Sequence, residues 1–174
     1  ALKIMEELSD DDNKKKHYSE MAAKTKDSFL RLFWDEKRGY LKDVISGEDD
    51  EEQIRCNQVW ALSMSFVMLD QDKALKILDV IYKHLYTPWG LRSLSPEDRE
   101  YHGFYGGSQK DRDLAYHQGT VWAYPLGAYY RARIRFAKDQ KEEIQNVKEQ
   151  LMAMDACIRE GCVGQIAEIY DGDR

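Results

Sequence analysis

The feature that most constrains the fold of this chain is an alternation between two kinds of helical segment. Some segments place their apolar residues on one stripe, as helices with a solvated face do. Others are apolar almost all round, which is typical of a helix buried on most sides. The one-sided helices are predicted at 16–34, 72–86 and 140–160, and the buried helices at 58–69 and 118–136. The first eight residues, ALKIMEEL, look like the end of another helix.

This alternation predicts an all-α fold built from helix hairpins, which can stack as a solenoid or close into a toroid. A solenoid repeat would recur at a short fixed period, whereas these hairpins recur after roughly 60 residues and include the long loop 87–117. We therefore expect a toroid with two concentric layers of helices and strands only in short loop hairpins. We also expect a kink at Pro125, which lacks a backbone donor.

Composition and charge exclude several classes of function. The 174 residues suffice for one domain, and a net charge of −6 with scattered basic residues argues against nucleic-acid binding. No apolar run approaches the ~20 residues that span a bilayer, so no membrane partner is expected. The odd number of cysteines favours free thiols in the cytoplasm, with a Cys157–Cys162 bridge as the alternative. No metal site and no cofactor are predicted, because the sequence lacks a histidine pair at ligand spacing and a phosphate-binding loop.

Three clusters of polar and aromatic residues lie where predicted inner helices begin, at 54–60, 87–122 and 164–173. In a helical toroid these loops would line a central funnel. Aromatic rings beside carboxylates and amides suit a sugar, which has apolar faces and hydroxyl edges. Cleavage of a glycosidic bond needs two carboxyl groups, and Glu168 is the best candidate for one of them. Asp171 is interpreted as a turn former or as a group that holds a ligand.

Most of these residues also have a plain structural interpretation. His117 can be a hydrogen-bonded structural histidine, and Trp60 and Trp122 can belong to the core. Arg112 and Asp113 can form a local ion pair, or they can bind sugar hydroxyls at the rim of a pocket. Taken alone, the residues predict a helical domain that binds a ligand, with a carbohydrate site as the more specific hypothesis.

Three segments resemble a known family: TPWGLRSLSPEDREYHGFYGG, RDLAYHQGTVWAYPLGAYYRA and GQIAEIYDGD. They are similar to the C-terminal α-1,6-glucosidase domain of glycogen debranching enzymes of the bacterial and archaeal type. The resemblance implies the (α/α)6 toroid of glucoamylase-like enzymes, of which this chain would be about half. It also implies that residues 1–174 are the C-terminal portion of a single glucosidase domain, truncated at both ends.

The resemblance implies an activity and the residues that perform it. The activity is hydrolysis, with inversion, of α-1,6-linked glucose at branch points of glycogen or limit dextrin, and Glu168 matches the general base. The positions that match the glucose pocket and the start of an inner helix are Arg92, Tyr116, His117, Gln118 and Trp122, and Asn57 and Gln58. Cys56 stands where the family usually has proline.

One catalytic group of the family is missing from this chain. The family's catalytic acid is an aspartate upstream of the matching segment, so we expect the isolated chain to be inactive. We also expect self-association through apolar faces that the missing helices would cover. Two alternatives stay open: a related (α/α)6 glycosidase of trehalase-like or α-mannosidase-like linkage specificity, and a non-catalytic helical domain that binds carbohydrate.

Overall fold

A computed structural model describes residues 1–45, 53–159 and 164–173 of the chain. Helices dominate these ranges, and the strands are two or three residues long. In chain order the elements are α1 (Leu2–Leu8), α2 (Asp12–Phe33), β1 (Trp34–Asp35), β2 (Tyr40–Leu41), a 3-10 turn (Cys56–Gln58), α3 (Val59–Ser63), α4 (Gln71–His84), β3 (Tyr86–Thr87), β4 (Gly90–Arg92), α5 (Gln109–Ala115), β5 (Val121–Trp122), α6 (Tyr124–Phe136), α7 (Gln140–Leu151), α8 (Met154–Cys157) and β6 (Ile169–Tyr170).

The hydrophobic core lies where α6 packs against α3, α4 and α7. Leu62, Ile77, Ile81 and Tyr129 are among its fully buried side chains. Burial of an aliphatic side chain of this size contributes about 1.5–3 kcal/mol, so these contacts fix the relative positions of the helices. Asp70 caps α4 by accepting a hydrogen bond from a backbone N–H of its first turn. The core thereby fixes the ends of the helices from which the site is built.

The N-terminal hairpin of α1 and α2 is far less covered than the core. Neither helix has a buried residue, although the predicted one-sided helix is present. Near its C-terminal end α2 packs Phe29, Leu30 and Phe33 against the core. The antiparallel pair of β1 and β2 follows this end. Both residues of β2, Tyr40 and Leu41, are buried.

A four-stranded antiparallel sheet corrects the expectation that strands occur only in short loop hairpins. Its order is β3, β4, β5, β6, and only β3 and β4 are joined by a tight hairpin. Strand β5 pairs with β4 on one side and with β6 on the other, so the sheet joins segments that are far apart in the chain. The sequence pattern missed this sheet because strands of two or three residues leave no periodicity.

The helix expected at 118–136 begins only at Tyr124. Residues 116–119 form a turn, and Val121 and Trp122 belong to β5. Pro125 consequently lies in the first turn of α6, where no intrahelical partner is needed for its missing N–H. The predicted kink at Pro125 is therefore wrong.

Two other predicted helices are shorter than expected. The helix predicted at 58–69 ends at Ser63, and that predicted at 140–160 is divided into α7 and α8. By contrast, the helices predicted at 16–34 and 72–86 are confirmed to within four residues at each end. Among the described residues, no helix combines the length and apolar character that crossing a bilayer requires.

Candidate functional site

The sheet brings three of the predicted site residues to adjacent strands. Arg92 lies on β4 opposite Val121 of β5, and Trp122 of β5 lies opposite Ile169 of β6. Glu168 immediately precedes β6. Residues 92, 122 and 168 therefore meet at the sheet, although 30 and more residues separate them along the chain.

The carboxylate of Glu168 is exposed and is held by one hydroxyl group. Tyr116, at the end of α5, donates a hydrogen bond of 2.8 Å from its hydroxyl to Glu168 Oε2. This bond to a carboxylate raises the pKa of the Tyr116 hydroxyl, because loss of its proton would place two negative charges together. Glu168 also lines a cavity of about 600 Å³ with Trp122 and Tyr124. The arrangement leaves a carboxylate in contact with solvent beside two aromatic rings.

Three aromatic rings pack against one another next to this carboxylate. The His117 ring stacks on Trp122 with centroids 5.1 Å apart and an interplanar angle of 6°. Tyr116 meets the same indole edge-on at 4.8 Å, and Trp122 Nε1 donates to the Tyr116 carbonyl oxygen at 3.2 Å. Trp122 is half-buried rather than part of the closed core. These rings form a rigid surface, which is what an apolar sugar face requires.

Arg92 supports the segment that follows β6. Its Nε donates a 2.8 Å hydrogen bond to the carbonyl oxygen of Gly172, and its Nη1 donates to the Tyr86 carbonyl oxygen at 3.4 Å. In the described part of the chain, the cavity of Glu168 is lined by neither Arg92 nor His117. Arg92, His117 and Glu168 thus gather around one sheet, with Arg92 engaged by backbone carbonyls.

Gln118 is held by an arginine that the sequence analysis did not single out. Arg55 Nη2 donates to Gln118 Oε1 at 2.5 Å, and Arg55 Nη1 donates to the His117 carbonyl oxygen at 2.8 Å. Arg55 Nε donates to Gln53 Oε1 at 2.8 Å. The guanidinium therefore joins the start of the 3-10 turn to the turn that carries His117. A backbone carbonyl acceptor leaves no mark in the sequence, so only the charge of Arg55 next to the Asn57–Gln58 pair could have suggested it.

Arg112 and Asp113 do not form the local ion pair that was one of their two interpretations. The Arg112 guanidinium donates instead to the Gly107 carbonyl oxygen at 2.6 Å. No ion pair of the described residues joins it to Asp113, which is exposed. Both residues lie on α5, which begins at a capping box made by Ser108 and Asp111.

The loop before α5 is tied to the segment after β6 by two acidic residues. Asp171 Oδ1 accepts from the Tyr105 backbone N–H at 2.9 Å. Asp173 Oδ1 accepts from the Tyr101 hydroxyl at 2.7 Å. Burial, reinforced by this bond to a carboxylate, raises the pKa of Tyr101 to about 12. These two hydrogen bonds therefore join the loop before α5 to the segment after β6.

Asn57 and Gln58 lie beside a second cavity, of about 300 Å³, which Trp60 also lines. Gln58 is buried; its Nε2 donates to the Arg55 carbonyl oxygen at 3.1 Å, and its Oε1 accepts from the Leu41 N–H at 3.4 Å. Asn57 is exposed and donates from Nδ2 to Asp43 Oδ1 at 3.0 Å. Gln58 therefore joins two chain segments, whereas Asn57 faces solvent.

The acidic and histidine residues that the structure describes are too dispersed to hold a metal ion. Among residues 1–45, 53–159 and 164–173, no three side chains of His, Cys, Asp or Glu are grouped as a metal site would need. Cys56 and Cys157 are buried free thiols, and Cys162 lies outside the described residues.

Comparison with known proteins identifies relatives among glycoside hydrolases. The sequence profile of the family described as Amylo-alpha-1,6-glucosidase matches residues 1–174. The glycogen debranching enzyme of Saccharomyces cerevisiae is 28% identical over 122 residues, which cover 66% of this chain and 8% of that enzyme. The structure of the neutral trehalase Nth1 from Saccharomyces cerevisiae matches 90% of this chain and 27% of its own, with a TM-score of 0.64 and 17% identity.

The structural likeness confirms the predicted fold class, because trehalase has the six-hairpin (α/α)6 fold. This chain is a partial toroid of that kind, and it spans only a small part of the relatives that it matches. It is a glycoside hydrolase-like domain related to glycogen debranching enzyme, and it shares its fold with the trehalase. The match of the family profile over the whole chain shows that the protein belongs to the amylo-alpha-1,6-glucosidase family.

Proposed function

We propose that this domain takes part in the hydrolysis of α-1,6-linked glucose at branch points of an α-glucan such as glycogen or limit dextrin. Glu168 acts as the general base that activates the attacking water, and the anomeric configuration is inverted. The buried free thiols of Cys56 and Cys157 support a reducing compartment, the cytoplasm, as the place of action.

One observation carries this proposal: the exposed carboxylate of Glu168 accepts a hydrogen bond from the Tyr116 hydroxyl and lines the same cavity as Trp122. A general base must reach a water molecule, and an exposed carboxylate can do so while one of its oxygens is held in place. The indole and the rings packed on it offer an apolar surface to a glucosyl face. The exposed carboxylate of Asp113 and the partly exposed guanidinium of Arg112 are further polar groups for its hydroxyls.

An inverting glycosidase also needs a general acid about 6.5–9.5 Å from the base, across the bond that is cleaved. We propose that this acid is an aspartate that lies outside these 174 residues. Asp171 and Asp173 are engaged by the loop 101–105, which favours a structural role for both. The isolated 174-residue chain is therefore expected to release no glucose from a branched limit dextrin, since absence of the acid alone removes a factor of about 10²–10⁴.

The decisive experiment replaces the base in the intact protein. Glu168→Gln is expected to lower glucose release from limit dextrin by about 10²–10⁴-fold while glucan binding persists. Glu142→Gln, at an exposed position on α7, is the matched control and should retain the wild-type rate. Proton NMR should show β-glucose as the first product. Undiminished glucose release by Glu168→Gln, or α-glucose as the first product, would refute the assignment.

A substrate panel tests the linkage. Trehalose and an α-mannoside should be hydrolysed far more slowly than limit dextrin, and the reverse order would place the activity with another six-hairpin glycosidase.

Self-association is proposed from the uncovered N-terminal hairpin. Ile4, Met5 and Leu8 of α1 are 46%, 47% and 75% exposed, and an apolar surface of this kind favours association. Light scattering of the 174-residue chain should show a mass that rises with concentration. A constant monomer mass at micromolar concentrations would contradict this expectation.

A further inference from the structure

The two cavities near the predicted site residues are separated by a pair of aromatic rings. One cavity is lined by Asn57 and Trp60, and the other by Tyr124 and Glu168. Trp60 and Tyr124 stack on each other with centroids 5.9 Å apart and an interplanar angle of 17°. The pair thus lies between a cavity with an exposed amide and the cavity that holds the candidate base.

The rings continue without a break to the candidate base. Tyr124 meets Trp122 edge-on, with centroids 5.9 Å apart and an interplanar angle of 86°. The Trp122 ring contacts the rings of His117 and Tyr116, and the Tyr116 hydroxyl donates a hydrogen bond to Glu168. An aromatic surface therefore extends from the Asn57 cavity to the carboxylate.

Tyr124 and Trp60 have features that a role in packing alone does not require. The Tyr124 side chain is 61% exposed although it begins a helix whose other residues are largely buried. Among the described residues, neither the Tyr124 hydroxyl nor Trp60 Nε1 has a hydrogen-bond partner. An aromatic ring with an unused polar edge can stack on the face of a sugar and donate to one of its hydroxyls.

We propose that Tyr124, supported by Trp60, is a second sugar-binding position that holds the glucan chain next to the glucose at Glu168. Successive α-1,4-linked units pass over the Tyr124 ring toward the second cavity, where the Asn57 amide meets their hydroxyls. This inference rests on the proposed function, and it adds that the ligand is an oligosaccharide that contacts both cavities. A single glucose molecule would occupy only the first cavity.

The consequence is an affinity that depends on chain length. Maltopentaose should bind the intact protein more tightly than glucose, and Tyr124 should contribute to the difference. An aromatic contact adds about 0.5–1.5 kcal/mol beyond the area that it buries, which corresponds to an affinity change of roughly 2- to 12-fold.

Calorimetric titration of the intact protein with maltopentaose and with glucose tests this directly. Tyr124→Ala is expected to weaken maltopentaose binding by about 2- to 12-fold and to weaken glucose binding by a smaller factor, because Tyr124 also lines the first cavity. Tyr124→Phe retains the ring and should stay within about twofold of wild type. Tyr82→Ala is the matched control, because Tyr82 is likewise exposed, at 57%, and stacked on a neighbouring ring, Tyr86, but lies on α4.

Tyr124→Leu keeps the apolar bulk but not the ring, and it serves if the alanine variant does not fold. It should weaken maltopentaose binding as alanine does. Unchanged maltopentaose affinity in a folded Tyr124 variant would overturn the second position, as would an equal loss for glucose and maltopentaose. If glucan binding is intact but Glu168→Gln hydrolyses limit dextrin normally, the proposed function fails on its own. Absence of any glucan binding by the wild-type protein would overturn both.

Discussion

Replacement of Arg55 by methionine tests how the site is held together. The guanidinium is the only described group that binds both the His117 carbonyl oxygen and the Gln118 side chain, which lie 62 and 63 residues away in the chain. Methionine keeps an unbranched apolar stem and removes every donor. The substitution therefore deletes the hydrogen bonds and retains much of the side-chain volume.

The magnitude follows from the bonds that are lost. A hydrogen bond from a charged donor contributes about 1.5–3 kcal/mol when it is shielded from water. The bond to His117 is exposed and that to Gln118 is partly buried, so water replaces much of each. We expect Arg55→Met to lower the free energy of unfolding by about 1–3 kcal/mol, which in a domain of this size lowers the melting temperature by about 2–12 °C.

The effect on activity should exceed the effect on stability. The turn fixed by Arg55 follows Tyr116, whose hydroxyl orients Glu168. Displacement of a reacting group by about 1 Å can cost a factor of about 100 in rate, so glucose release by the intact protein should fall by about 10- to 100-fold. Arg55→Lys keeps the charge but cannot reach both acceptors with a rigid fork, and should give an intermediate rate.

Thermal melting by circular dichroism and glucose release from limit dextrin are measured on the same preparations. Arg31→Met is the matched control, because Arg31 is exposed near the end of α2 and makes no hydrogen bond or ion pair with another described residue. A melting temperature and rate equal to wild type in Arg55→Met would refute the reasoning. A lower melting temperature with an unchanged rate below the transition would refute the positioning role alone.

Three further substitutions test close contacts and a buried thiol. Gly90→Ala would place a methyl group against the Trp122 carbonyl oxygen; we expect it to separate β4 from β5 and lower the free energy of unfolding by about 1–3 kcal/mol in urea denaturation. Gly119→Ala adds a Cβ 2.6 Å from Tyr101 Cε2 at a φ of +147°, and strain plus overlap should cost about 2–5 kcal/mol, so a variant of wild-type stability would contradict the close approach. Burial raises the pKa of the Cys56 thiol from 9.0 to about 11; because the folded pKa exceeds the unfolded one, this stabilisation is complete below pH 9 and is lost as the pH rises through 11. Cys56→Ala should therefore reduce the alkaline decline in stability, and an unchanged decline would exclude the thiol as a source.

Helices α2 and α4 were predictable because local pattern decides them, whereas the sheet was not. The segments around α2 and α4 have a clear apolar stripe, and an aspartate caps each of them. Val121 and Trp122 are equally compatible with a buried helix and a strand when only the sequence is known. Their pairing with β4 and β6 decides the matter, and that pairing depends on contacts between distant segments.

The residue types of the candidate site could be predicted from the sequence, whereas the hydrogen bonds that join its distant segments could not. The clustering of Glu168, Tyr116 and Trp122 follows the pattern expected for a sugar site, and the structure brings the three together. Arg55 and Tyr101 were missed because each acts on a partner more than 60 residues away. No periodicity or spacing connects such partners.

Hydrogen bonds between distant segments, most of them exposed or partly buried, hold this site. Tyr116 to Glu168, Arg92 to Gly172 and Tyr105 to Asp171 join segments that are 52, 80 and 66 residues apart. Each such bond adds little to the free energy of unfolding, because water competes for its groups. Each nevertheless fixes a group near the candidate base, where displacements of about 1 Å matter for rate. Substitutions here should therefore lower activity much more than stability, whereas substitutions at core residues such as Ile77 and Tyr129 should lower both together.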